Sequence, residues 1–189
     1  QELADVIGAK PMPLASVYPL LIQLLQALDF VHSRHYVHRD IKAQNIRVTD
    51  AGRLKLMDFG LMGQVGQPSS MQITGTPGYL APEVAQGGVI GAYSDLYSVG
   101  CLAYEMITGK LPFEGRLIDV VRAHVQTAPE PLRRRRPDAP EALERVVMKL
   151  LEKDPAKRYR QASQVVEALA ALAGLAVARE SLDQQASYL

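Results

Sequence analysis

Three short motifs, in a fixed order, constrain this chain more than any other feature of its sequence. Residues 38–45 read His-Arg-Asp-Ile-Lys-Ala-Gln-Asn, and Asp58-Phe59-Gly60 begins thirteen residues after Asn45. Ala81-Pro82-Glu83 follows further along the chain. Any one of these motifs can arise by chance, but three in this order at these separations are very improbable. They limit the folds open to the chain more than its composition does.

Short strands flank the first motif, which reads as a loop. The strand candidates are residues 36–37, 46–48 and 54–57, with Asp50-Ala51-Gly52 as a turn signal between the last two. Residues 60–80 are rich in Gly, Ser, Gln and Thr and show little periodicity, which is typical of a mobile loop. We therefore expect a low strand content.

Helical periodicity dominates the rest of the chain. It predicts a short helix in residues 1–8, a long helix capped by Ser16 and ending near residues 33–34, and helices at 141–152 and 163–172. Residues 95–108 are apolar on nearly every face, so we expect a central buried helix, with Asp95 capping its start and Gly109 its end.

Composition excludes several classes of protein. The formal net charge is +1, from 21 basic and 20 acidic residues, which gives no overall attraction to nucleic acid or membrane. The single cysteine, Cys101, excludes a disulfide framework and favours a reducing compartment. The longest weakly polar stretch, residues 168–178, is shorter than the ~20 apolar residues that span a bilayer. We expect a cytoplasmic protein that binds no nucleic acid and makes no membrane contact through these residues.

The three motifs resemble those of the eukaryotic-type (Hanks-type) Ser/Thr protein kinases. The Ala- and Arg-rich composition and the wording of the motifs resemble bacterial members. The resemblance covers residues 1–172 and implies a mainly α-helical, protein-kinase-like C-lobe with a few short β-strands at the catalytic cleft. No G-x-G-x-x-G or V-A-I-K-like strand occurs, so we expect the N-lobe to be absent. Residues 173–189 are expected to form a C-terminal tail that could be helical.

The resemblance implies transfer of the ATP γ-phosphoryl group to protein Ser/Thr hydroxyls, with Mg²⁺. In that reaction Asp40 is the base that orients the substrate hydroxyl, and Lys42 stabilises charge on the phosphoryl group. Asn45 and Asp58 match the two magnesium ligands, because oxygen donors suit this hard cation. Arg47 occupies a position that is usually aliphatic and close under the adenine of ATP. Its methylene stem can pack there while the charge reaches solvent, or the arginine reduces the affinity for the nucleotide.

The resemblance also assigns substrate and activation-segment roles. Thr76 is expected to bond Asp40 or Lys42, and Glu105 is either an acidic substrate contact or, as we favour, a local structural bond. Arg39 is expected to bind a phosphate on the activation loop. The candidate acceptors are Ser69, Ser70 and Thr74. Gly63 stands where a second basic residue is common, and this weakens the expected phosphate pocket.

Five residues receive structural roles from the resemblance. His38 and Phe59 are expected to form an apolar stack that aligns the catalytic loop, the loop of residues 38–45, and Asp95 is expected to bond the backbone of that loop. Glu83 and Arg158 are expected to form a buried ion pair.

Four consecutive arginines, residues 133–136, remain outside these roles. They can dock acidic partners or nucleic acid. We favour a solvated loop between Pro131 and Pro137, because no aromatic residues are interleaved with the four charges.

Two alternatives to an active kinase stay open at this stage. One is a pseudokinase scaffold, against which the intact Asp40, Lys42, Asn45 and Asp58 argue. The other is a truncated module that binds substrates. We expect these 189 residues alone to bind ATP poorly and transfer phosphate negligibly.

Overall fold

Helices dominate the computed structural model, which describes residues 1–69 and 77–174. Within these ranges the α-helices are α1 (Leu3–Ile7), α2 (Leu14–His32), α3 (Pro82–Ala85), α4 (Ala92–Thr108), α5 (Leu117–Gln126), α6 (Leu132–Arg135), α7 (Glu141–Leu150) and α8 (Ala162–Ala173). Single turns of 3₁₀-helix lie at Ala43–Asn45, Pro77–Tyr79 and Pro155–Lys157. Residues 173–189 were expected to form a tail; Ala173 ends α8, and residues 175–189 lie outside the described residues.

The strands form two small antiparallel sheets. β1 (Tyr36–Val37) pairs with β4 (Gly63–Gln64), and β2 (Ile46–Val48) pairs with β3 (Leu54–Leu56). In the second sheet Ile46 lies opposite Leu56, so the residues that follow β3 return to the start of β2. The low strand content is as predicted, and both sheets lie at the ends of the catalytic loop.

Helix α4 is the centre of the core. Thirteen of its seventeen residues are buried, including Tyr97, Leu102 and Tyr104 with no exposed surface. This agrees with the absence of a polar face in its sequence. Its start differs from the prediction: α4 begins at Ala92, Gly91 is the N-cap, and the Ser94 hydroxyl accepts a hydrogen bond from the Gly91 backbone. Asp95 therefore lies inside the helix, which leaves its carboxylate available for tertiary contacts.

Helix α2 packs lengthwise against α8 and also contacts α4. It begins at Leu14 after Pro13, not at a Ser16 cap, because proline fixes the extended backbone that precedes the first turn. Of the described helices, α2 is the one whose length and apolar composition would allow it to cross a membrane. The sequence pattern instead indicates residues 168–178 as the longest weakly polar stretch. Seven of the apolar side chains of α2 are buried in the core.

The arginine cluster is not simply a solvated loop. Arg135 donates to Glu130 and to the Leu111 carbonyl. The Arg136 guanidinium is mostly buried and donates to the carbonyls of Met12 and Ile107. Arg133, Arg134 and Arg135 are thus exposed, and Arg135 and Arg136 bond backbone carbonyls of other segments.

A buried polar chain links α4, α5 and the loop after α7. Lys153 Nζ donates to Tyr97 Oη over 3.3 Å, and Tyr97 Oη lies 2.9 Å from His124 Nδ1. Burial, and then the charge of Lys153, lowers the pKa of His124 to about 4. Burial likewise lowers the pKa of Lys153 to about 8. His124 is therefore neutral in the folded protein at neutral pH.

Replacing His124 by Gln is expected to make the free energy of unfolding depend less on pH below pH 6.5. Between pH 6.5 and about 4 the unfolded histidine binds a proton that the folded one does not. The free energy of unfolding therefore falls as the pH is lowered through this window, by up to about 1.4 kcal/mol per pH unit. Urea unfolding measured from pH 7 to pH 4 checks this. The exposed His35, changed to Asn, serves as control; equal slopes for His124→Gln and the unmodified protein would contradict the assignment.

Candidate active site

The catalytic loop gathers three of the predicted residues around one carboxylate. Asp40 Oδ2 accepts hydrogen bonds from Lys42 Nζ at 2.8 Å and from Asn45 Nδ2 at 2.6 Å. Asn45 Nδ2 also donates to the Asp40 carbonyl at 2.9 Å. Asp40 and Asn45 are each less than 10% exposed, at 9% and 8%. Among the described residues no hydrogen bond reaches Asp40 Oδ1, which leaves that oxygen available to a ligand.

The pairing of β2 with β3 brings the backbone of Asp58 close to Asn45, at the end of the catalytic loop. The Met57 N–H donates to the Asn45 carbonyl at 2.8 Å, directly after the β2–β3 pairing, so Asp58 follows within one residue of this bond. Asp58 has a left-handed backbone (φ 58°), and its Oδ1 accepts from the Gly60 N–H at 3.2 Å. This bond is the Asx-turn contact that a structural aspartate makes. Oδ2 makes no bond within the described residues.

Asp95 holds the backbone that precedes Asp40. Its Oδ2 accepts from the His38 N–H at 2.8 Å and its Oδ1 from the Arg39 N–H at 2.9 Å. His32 Nε2 lies 2.8 Å from the same Oδ2. Arg39 has φ 69°, a conformation that a non-glycine residue adopts only when its surroundings enforce it. The buried carboxylate of α4 supplies that enforcement.

His38 connects the catalytic loop to the Asp58 segment. Its Nε2 lies 3.1 Å from the Met57 carbonyl, and its Nδ1 accepts from the Asp40 N–H at 3.4 Å. These contacts fit the tautomer with hydrogen on Nε2. The Phe59 ring meets the His38 ring edge-on, with centroids 5.2 Å apart, although Phe59 is 50% exposed. The stack therefore has one buried and one open member.

Arg158 and Glu83 form a two-pronged ion pair. Arg158 Nη1 donates to Glu83 Oε1 at 2.9 Å and Nη2 to Oε2 at 2.8 Å. The Arg158 side chain has no exposed surface, and that of Glu83 is 11% exposed. The pair fixes the segment after Ala81 to the loop before α8.

A partner of Glu105 was missed by sequence reasoning. The Tyr79 hydroxyl donates to Glu105 Oε2 at 2.5 Å. Burial raises the pKa of the Glu105 carboxyl. This is the local structural bond favoured for Glu105. The position of Tyr79 two residues before Ala81-Pro82-Glu83 was the only signal for it.

Comparison with known proteins decides the family. The model for the protein kinase domain matches residues 1–169. The chain belongs to the protein kinase family. It is 38% identical to serine/threonine-protein kinase pkn2 of Myxococcus xanthus over 90% of this chain and 22% of that protein. It is 37% identical to serine/threonine-protein kinase PknB of Mycobacterium leprae over 86% of this chain and 27% of that protein. The chain spans about a quarter of the length of these relatives, and it groups with bacterial kinases of the Hanks type.

The fold-class prediction, a kinase C-lobe with the N-lobe absent, is wrong as it stands. The matching family model is that of the protein kinase domain, and it aligns with residues 1–169. The mostly helical character with few strands is right. The missing glycine-rich motif shows which phosphate contacts these 189 residues do not supply. It does not define the architecture to which they belong.

Three further predicted residues, Arg39, Arg47 and Ser69, lie within the described part of this kinase domain. Arg47 is exposed on β2 and pairs with Glu2 at 3.4 Å. Arg39 packs its side chain against Gly63, where a Cβ would lie 3.0 Å from Arg39 Nη1. A second basic residue therefore does not fit at position 63 without movement of Arg39. Ser69 is 7% exposed. Ser70, Thr74 and Thr76 lie outside the described residues.

The donors present suit a magnesium ion shared with a nucleotide. Among the described residues, no group of three His, Cys, Asp or Glu side chains could hold a metal ion alone. Asn45 uses its amide nitrogen on Asp40, which leaves its amide oxygen, and Asp58 keeps one carboxylate oxygen. Mg²⁺ is commonly held by one or two such oxygens together with substrate phosphates. The donor set therefore fits this cation and not a site made by protein ligands alone.

Proposed function

We propose that this kinase domain transfers the γ-phosphoryl group of ATP to serine and threonine hydroxyls of proteins. The observation that carries the proposal is the convergence of Lys42 and Asn45 on the Asp40 carboxylate. Phosphoryl transfer depends mainly on positioning and charge stabilisation, and a single rigid loop supplies both here.

Asp40 accepts the proton as the substrate hydroxyl attacks. Asp40 Oδ2 is occupied by Lys42 and Asn45, so Oδ1 is the oxygen that receives the hydroxyl. The substrate oxygen forms the new bond to the γ-phosphorus, the bond to the β-phosphate oxygen breaks, and ADP leaves. General-base assistance of this kind contributes about 10²–10⁴-fold to a rate.

Lys42 places a positive charge beside the reacting group. Its ammonium lies 2.8 Å from Asp40 Oδ2 with its side chain 18% exposed, so it is partly withdrawn from water. A fixed charge in such a setting stabilises negative charge that develops on the phosphoryl oxygens. Mg²⁺, when bound by Asn45 and Asp58, would supply further charge neutralisation.

Three features support a Ser/Thr preference and a cytoplasmic location. Lys42 and the Gly75-Thr76-Pro77-Gly78-Tyr79 segment resemble Ser/Thr kinases, and the relatives carry that name. Cys101 is a free cysteine, as is usual in proteins of a reducing compartment.

Arg39 beside Gly63 is our candidate for binding a phosphate on residues 69–74.

A labelled-ATP assay tests the proposal. The kinase at its full natural length, given Mg²⁺ and a mixture of protein substrates, should produce phosphoserine and phosphothreonine. EDTA should abolish this activity. The 189 residues alone should bind ATP weakly, because they hold no glycine-rich loop. Phosphotyrosine as the main product would contradict the substrate class. No product from a folded protein that still binds ATP would favour the pseudokinase alternative.

A further inference from the structure

A cavity lies away from the catalytic loop, between α1, the start of α2 and the β2–β3 hairpin. Its volume is about 670 Å³. The lining is mostly apolar and includes Val6, Met12, Ala15, Pro19 and Val48. Asp40, Lys42, Asn45 and Asp58 do not line it. It is large enough for several side chains of a peptide segment.

The floor of this cavity is held in place by contacts from the core. The Met12 N–H donates to the Met106 carbonyl at 2.8 Å, and Arg136 Nη1 donates to the Met12 carbonyl. Gly109 packs so closely that a Cβ there would lie 2.8 Å from the Lys10 carbonyl carbon. The wall formed by residues 10–12 is thus fixed from three sides, and the cavity is preformed.

Helix α8 ends beside the helix that forms one wall. The Ser163 N–H donates to Asp29 Oδ1 at 3.3 Å, which places the start of α8 near the end of α2. Since α2 ends at His32 and the two helices pack lengthwise, α8 must run antiparallel to α2. Equal rise along both helices then puts Gly174 roughly eleven residues back along α2 from Asp29, close to Tyr18.

We propose that residues 175–189 of the same chain dock in this cavity. They follow Gly174 directly and include the apolar side chains Leu175, Val177, Leu182, Tyr188 and Leu189. Leu182 is eight residues beyond Gly174 and reaches up to about 27 Å in an extended chain. A helix with side chains is only about 10–12 Å across, so residues from 182 onward can pass around α2 to its cavity side.

The tether makes this segment the favoured occupant. A segment joined to its site by a short linker meets it at an effective concentration of the order of millimolar. A free peptide of the same affinity would need that concentration in solution to compete. A docking peptide of another protein is the rival occupant, and a second copy of this chain is another.

Thiol protection in the full 189-residue chain tests the proposal. Ser16 is exposed and lines the cavity, so Ser16→Cys places a reporter there, while Cys101 is fully buried and stays unreactive. The reporter is compared with the tail intact and with Leu182, Tyr188 and Leu189 all changed to Ser. Iodoacetamide should alkylate the cysteine at position 16 about tenfold faster or more in the variant with the altered tail. This is the result expected if the tethered segment occupies the cavity most of the time.

Gln26→Cys is the matched control, because Gln26 is exposed on the same helix and does not line the cavity. Its rate should be the same with either tail. Equal rates at Ser16→Cys with both tails would overturn the proposal and leave the cavity to a partner protein. Protection that weakens on dilution would also overturn it, in favour of a neighbouring copy. Because no step uses ATP, the result is independent of the proposed kinase activity.

Discussion

Replacing Asp40 by Asn should lower phosphate transfer by the active kinase about 10²–10⁴-fold, the typical contribution of a positioned base. Asparagine keeps the shape and one acceptor oxygen, but it cannot take the proton from the attacking hydroxyl. Initial rates with labelled ATP and a saturating protein substrate measure the effect. Since the loss concerns the chemical step, kcat should fall while the KM for ATP changes little.

Asp50→Asn is the matched control for this substitution. Asp50 is exposed in the turn between β2 and β3, so the same chemical change there should leave the rate unaltered. Equal activity of the Asp40→Asn variant and the unmodified enzyme would remove Asp40 from the mechanism. Comparing urea unfolding curves of the two variants separates a lost base from a damaged fold.

Replacing Arg158 by Met should reduce the free energy of unfolding by about 3–5 kcal/mol, the cost of breaking a buried ion pair on one side. All five guanidinium N–H groups are used: two on Glu83, and one each on the carbonyls of Glu152, Tyr93 and Lys153. Methionine fills most of the volume but satisfies none of these acceptors. Urea unfolding at neutral pH measures the loss.

Arg145→Met is the control for this second substitution. Arg145 pairs with Glu141 across one helical turn, and both side chains are 67% exposed. Exposed pairs of this kind contribute about 0.3–0.5 kcal/mol. A similar small loss at both positions would show that burial does not determine the strength of the Arg158 pair. A double change of Arg158 and Glu83 that costs less than Arg158→Met alone would identify the unpaired carboxylate as the main penalty.

Local pattern was enough to predict most helices and the catalytic loop. The buried helix α4, the short strands around residues 38–45 and the Glu83–Arg158 pair follow from apolar periodicity and from motifs whose roles the family resemblance supplies. Helix starts were less predictable. Pro13 and Gly91 precede the first turns of α2 and α4, where polar side chains at Ser16 and Asp95 were the stronger sequence signal.

Contacts between distant segments could not be predicted from the sequence. Arg136 bonds the Met12 carbonyl across 124 residues, and nothing in a run of four arginines distinguishes this one from its exposed neighbours. The cavity beside α1 depends on such contacts, because the Lys10–Met12 wall is fixed by Gly109 and Arg136. The Tyr97–His124–Lys153 chain likewise joins three segments whose separate sequences look unremarkable.

The carboxylate of Asp95 fixes the turn that carries Asp40 to the core of the protein. It accepts hydrogen bonds from two successive backbone amides next to Asp40, and it belongs to α4, in which thirteen of seventeen residues are buried. We therefore expect that this turn does not unfold separately from the core. On warming, the phosphate-transfer activity should be lost together with the cooperative unfolding of the core. There should be no earlier stage in which the core is folded and the catalytic loop is disordered.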